Sequence, residues 1–101
     1  TYDDGRSDDK GIEPEHVEIA TLKNRSFAFI TFERSSGGSL IPVYEITDVT
    51  APEHVHTFLA PDSDEPESTR FVKTSNRGGV LLAASEDSGT VDTFGFNLNM
   101  L

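Results

Sequence analysis

Apolar and polar residues alternate in short runs along this chain, and the runs have the period of β-strands. Val17 and Ile19 alternate with His16, Glu18 and Ala20, the two-residue period of a half-buried strand. Residues 26–32, SFAFITF, carry the strongest signal: Phe27, Phe29 and Thr31 point one way, Ala28, Ile30 and Phe32 the other. Apolar groups on both faces predict a central strand. Further strands are predicted over 39–47, 54–59, 69–73, 80–85 and 90–98. Pro42 places the third at a sheet edge or beside a bulge, because proline donates nothing to a ladder. Val91, Phe94 and Phe96 are the candidate core members of the last strand. No segment has a helical period.

The breaks between runs are polar and turn-forming: Lys23-Asn24-Arg25, Ser35 to Gly38, Asp48 to Pro52, Ser75 to Gly79 and Glu86 to Gly89. Residues 1–15 and 60–67 are acidic, proline-containing loops. These landmarks repeat. Glu13-Pro14-Glu15 returns as Glu65-Pro66-Glu67 and Asn24-Arg25 as Asn76-Arg77, both at an offset of 52. Strand order follows the same sequence in each half. Units near 50 residues with up to four short antiparallel strands have the size of propeller blades. The expected fold class is therefore all-β, with two propeller-blade-like antiparallel β-sheets forming a partial β-propeller. One domain, 1–101, would hold two blade-like repeats at about 13–60 and 65–98 behind an acidic N-terminal loop.

Charge narrows the partners. Eighteen acidic residues against 8 basic ones give a net charge of −10, which repels phosphate backbones and excludes a nucleic-acid binder. Anionic membrane surfaces are disfavoured for the same reason. No apolar run approaches the ~20 residues of a membrane span. The chain has no cysteine, hence no disulfide framework and no thiolate metal site. It opens on Thr1 without an initiator methionine or a signal-peptide pattern, and reads as a processed or trimmed product.

The segments RSDDKGIEPEHVEIATLKNRSFAFITFER, VYEITD and SEDSGTVDTF resemble the motifs of the choice-of-anchor I family. The resemblance spans most of residues 4–96 and is sharpest over Arg6–Glu15. Ile12 stands where the family usually has proline, His16 where it has glycine, and Ser85-Glu86-Asp87 replaces an asparagine-glutamate pattern. What the resemblance implies is a propeller-like architecture and an extracellular or cell-surface location. Family members are several times longer, so the resemblance is to a two-blade portion.

Candidate chemistry is sparse. Asp8, Asp9, Glu13, Glu15, Asp62 and Asp64 offer the hard oxygen ligands of a calcium site shared between loops. An EF-hand read from Asp4 fails, because Arg6 occupies a ligand position and Asp9 the glycine position. The simpler reading is a solvated acidic loop. His54 and His56, two apart in a strand, would share one face and a transition metal, or simply line a polar face. Glu15 with Arg25, and Glu67 with Arg77, suit a structural latch recurring in each unit. Asn24-Arg25-Ser26 is an N-glycosylation sequon at a turn. No G-x-S-x-G elbow, cysteine nucleophile or H-E-x-x-H motif is present.

The sequence thus points to a non-catalytic structural or interaction module of a secreted, surface or lumenal protein, needing no cofactor other than a candidate calcium ion. Its expected partners are proteins: further blades, other chains, or a large membrane-associated assembly on which it would sit as an extrinsic subunit, in one version within an organelle lumen. The alternative is a fragment of a calcium-dependent phosphoesterase-like propeller.

Overall fold

The computed structural model describes residues 12–34, 39–60, 68–85 and 89–101. Among the described residues seven strands follow one another: β1 (Ile12–Leu22), β2 (Arg25–Arg34), β3 (Ser39–Glu45), β4 (Glu53–Ala60), β5 (Ser68–Ser75), β6 (Gly78–Ser85) and β7 (Thr90–Asn97). A single 3-10 turn, Leu98–Met100, closes the chain, capped by the Asn97 side chain accepting from the Asn99 amide. Every predicted strand is present, and the β2 signal was read correctly as an interior strand.

Two antiparallel sheets result, a four-stranded meander β1-β2-β3-β4 and a three-stranded meander β5-β6-β7. Each pairs sequence neighbours only, as short turns dictate. The β1–β2 turn is Lys23-Asn24, flanked by the pair Leu22 and Arg25. Lys23 takes φ 53° there, the left-handed conformation that tight hairpins demand at their first central position. The β5–β6 turn is Asn76-Arg77, flanked by Ser75 and Gly78.

The sheets pack face to face. Alternation sends Ala20 and Leu22 of β1, Phe27 and Phe29 of β2, and Ile41 and Val43 of β3 to one side, where they meet Leu81 and Phe96 of the second sheet. Phe96 is the hub: its ring lies 5.2 Å from Phe27 and 5.3 Å from Phe29, both edge to face. Phe71 stacks on Phe29 at 5.1 Å, and Phe58 of β4 lies 5.1 Å from Phe94 of β7. Offset and edge-on rings at this spacing add about 0.5–1.5 kcal/mol per pair beyond burial itself.

Of the two placements expected for Pro42, edge or bulge, the structure shows the second: β3 is an interior strand, and its pairing with β4 is irregular between Val43 and Tyr44, beside Pro42. The β2–β3 ladder accommodates it by lapsing between Phe29–Val43 and Phe32–Leu40, where the missing N–H would have donated. Val91 is no core residue: it is 58% exposed on the outer face of the second sheet, while Phe94 and Phe96 point inward. The strand that begins at Thr90 ends at Asn97, so Leu98 belongs to the closing turn.

Gly79 explains how β5 and β6 approach each other. A Cβ there would stand 2.2 Å from the Val72 carbonyl oxygen and 2.9 Å from the Phe71 ring. The pairing slips by one residue at this point, between Lys73 and Ser75.

Candidate functional site

The acidic segments proposed from sequence fall largely outside the described residues: Asp8, Asp9, Asp62, Asp64 and Glu67 all do. Glu13 and Glu15 belong to the backbone of β1, with Glu13 opposite Glu33 and a register irregularity between Pro14 and His16. Among the described residues, no group of three or more histidines or carboxylates is placed to hold a metal ion.

The histidines do not form a pair. A bulge lets His56 oppose Val43 and His54 oppose Tyr44. Adjacent residues of β3 face opposite ways, so the two imidazoles lie on opposite sides of the sheet. His56 packs against Phe58 at 4.5 Å on the inner side. His54 meets the Tyr44 ring at 5.4 Å and shares a 2.7 Å hydrogen bond with Thr57 Oγ1. The expected two-histidine face is therefore absent, and the one-residue insertion is the reason.

Arg25 engages Glu45. Its Nε donates to Glu45 Oε2 at 3.0 Å and its Nη2 to Oε1 at 2.8 Å, a bidentate fork that holds both groups in one geometry. Thr47 Oγ1 donates to Glu45 Oε2 at 2.8 Å and accepts from the Ser26 amide. The Arg25 guanidinium, then the Thr47 hydroxyl, hold the Glu45 carboxyl down to about 2, and Glu45 in turn raises Arg25. The guanidinium also sits 5.6 Å over the Phe27 ring. In the second sheet Arg77 instead donates to Asn99 Oδ1 at 2.9 Å. Glu45 went unnoticed in the sequence because its partner lies 20 residues away, with no helical or hairpin spacing to signal it.

A second carboxylate joins the sheets. Glu18 Oε2 of β1 accepts a hydrogen bond from the Phe71 amide of β5 at 2.7 Å. Among the described residues, four buried hydroxyls have no hydrogen-bond partner: Thr31, Ser39, Thr69 and Ser85. They cluster by topology at one end, where β2 and β6 finish and β3 and β5 start. Asn24 of the sequon sits exposed in the β1–β2 turn.

Among the described residues, the outer faces of both sheets expose apolar side chains. The outer face of the first sheet presents Val17, Ile19 and Leu59, each more than half exposed, beside half-buried Ile30 and Phe32. The outer face of the second presents Val72 and Val91, with half-buried Val80 and Leu82. Both sheets therefore have two apolar faces, one covered and one open. No helix among the described residues is long and apolar enough to cross a membrane.

No curated protein and no solved structure matches the chain. A family model does, and it covers β1 to β3 and the start of the following turn. Residues 1–49 match the choice-of-anchor I domain, the family whose motifs the chain resembles.

Proposed function

We propose that the chain is a non-catalytic structural and interaction module of a surface or secreted protein: two blade-like sheets whose stable state is docked on further blades or chains. The two open apolar faces carry this reading. Val17, Ile19 and Leu59 on one side and Val72 and Val91 on the other leave large aliphatic groups in water. A monomer rarely keeps such contiguous patches without a partner. The choice-of-anchor I match over residues 1–49 supports an anchoring or interaction role at the cell surface or outside it. The two unlike halves also support a blade-like repeat, since each is an antiparallel meander.

The test is the behaviour of the isolated chain. A docking module binds a hydrophobic dye on its open faces and unfolds over a broad range. A monomer that melts sharply and binds no dye would remove the docking role.

A further inference from the structure

Each sheet opens on a two-residue hairpin, and the two turns differ in one chemical respect. In the first, Asn24 is the second central residue of the β1–β2 turn and is exposed. Its carboxamide has no hydrogen-bond partner among the described residues. Ser26, two residues on, supplies the hydroxyl that completes an acceptor sequence for asparagine-linked carbohydrate, and Arg25 between them is not proline. In the second turn Asn76-Arg77 is followed by Gly78, and no side chain fits there. A Cβ on Gly78 would stand 2.5 Å from the Asn97 Cβ and 2.7 Å from the Phe96 carbonyl oxygen. Packing of β6 against β7 therefore bars the hydroxyl from the second turn.

The surroundings of Asn24 suit a large hydrophilic attachment. Thr21 and Ser26 bring their hydroxyls together at 3.2 Å beside the turn, and Thr47 Oγ1 accepts from the Ser26 amide at 3.0 Å. The open apolar group lies further along β1. Ile19 and Val17 are about 10 and 17 Å from Leu22 at ~3.3 Å of strand per residue. A glycan on Asn24 thus leaves from the polar end of the first sheet, and its bulk helps keep a chain with exposed aliphatic faces in solution. The same contacts fix the order of events. In the folded chain the amide and the hydroxyl of Ser26 are both engaged, so a transferring enzyme must meet this segment before the first sheet closes.

Building on the surface or secreted location proposed above, we infer that Asn24 carries an N-linked glycan while Asn76 stays bare, so that the β1–β2 hairpin end faces solvent when the sheets are docked. In the transfer, Nδ2 of Asn24 bonds to the anomeric carbon of a lipid-pyrophosphate-linked oligosaccharide. The glycosyl–phosphate bond breaks, its electron pair leaving with the lipid pyrophosphate, and the carboxamide gives one proton to a base of the transferase. The modification marks one hairpin of the two, and the distinction is set by Ser26 against Gly78.

The test uses the full-length protein taken from its own source. A glutamate-specific protease frees residues 19–33, between Glu18 and Glu33, and mass spectrometry of that peptide reads a carbohydrate adduct. An amidase specific for asparagine-linked glycans removes the adduct and leaves aspartate at position 24. Asn24→Gln and Ser26→Ala each abolish it, Ser26→Thr retains it, and Asn76 is unmodified throughout. Asn24→Gln alters an exposed side chain without partners, so its thermal melt matches that of the enzymatically deglycosylated parent and loss of the adduct is not misfolding. A bare Asn24 in the native protein overturns the inference, as does an adduct on this peptide that survives Asn24→Gln. Surface labelling and analysis of the medium separate the two levels. A protein found at the surface or outside the cell, yet bare at Asn24, loses the glycan and keeps the location, whereas one held inside the cell and bare loses both.

Discussion

Replacing Thr31 by valine should make the protein more stable. Thr31 stands on the inner face of β2 at 1% exposure, opposite His16, and its Oγ1 has no hydrogen-bond partner. In the unfolded chain that hydroxyl is hydrated, so folding forfeits its bonds to water without replacement. A buried, unpaired hydroxyl costs about 1–3 kcal/mol. Valine keeps the branched shape that suits a strand and removes the polar atom. The expected gain is about 1–2 kcal/mol, which for a domain this size raises Tm by roughly 4–8 °C per kcal/mol. Urea unfolding at fixed protein concentration reads the effect as a higher midpoint with an unchanged slope. Thr31→Ser is the counterpart: it keeps the hydroxyl, removes a methyl group from a packed site, and should cost about 1 kcal/mol. If Thr31→Val proves neutral or destabilising while Thr31→Ser is tolerated, the hydroxyl is being satisfied and the reasoning fails.

Other expectations are as direct. Gly79→Ala should destabilise by about 1–3 kcal/mol or more, since a Cβ there meets backbone at 2.2 Å; thermal melting checks it. Lys23→Gly should stabilise by a few tenths to about 1 kcal/mol, because a side chain at φ 53° is disfavoured, and the same melt reads it. Glu45 has a folded pKa near 2, below its ordinary 4.5, so its contribution is complete above pH 4.5 and is lost as pH falls toward 2. With Arg25 at 40% exposure, solvent screening reduces that contribution to about 1 kcal/mol. Glu45→Gln should therefore lower stability at pH 7 and flatten the acid limb of a stability–pH curve; an unchanged acid limb contradicts the role given to the ion pair.

The strands were legible because alternation is local. Phe27, Phe29 and Thr31 against Ala28, Ile30 and Phe32 announce a strand used on both faces, and β2 is that strand. What alternation cannot supply is a one-residue irregularity. Because side chains alternate with period two, a single inserted residue reverses every face beyond it. The bulge opposite Val43 and Tyr44 separates His54 from His56 for this reason. The same arithmetic affects the sequence landmarks. Asn24-Arg25 and Asn76-Arg77 look equivalent at 52 residues, yet Arg25 opens a strand while Arg77 still lies in its turn. For the candidate site, composition directed attention to loop carboxylates, whereas Glu18 and Glu45, which make long-range contacts, lie within strands. Their partners, Phe71 and Arg25, are 53 and 20 residues away, distances at which no sequence periodicity speaks.

The bond from Phe71 to Glu18 has a consequence for how this chain avoids its own kind of error. β5 is the end strand of its sheet, and an end strand offers bare amides on which a stray β-segment can template. The Phe71 amide, midway along that border, is already taken by a carboxylate reaching across from the other sheet. An incoming strand would have to evict a negative charge to gain one hydrogen bond, and would loosen the contact between layers in doing so. Resistance to fibrillar misassembly along this border is thus tied to the integrity of the tertiary fold: substituting Glu18 would unblock the edge and weaken the stack together.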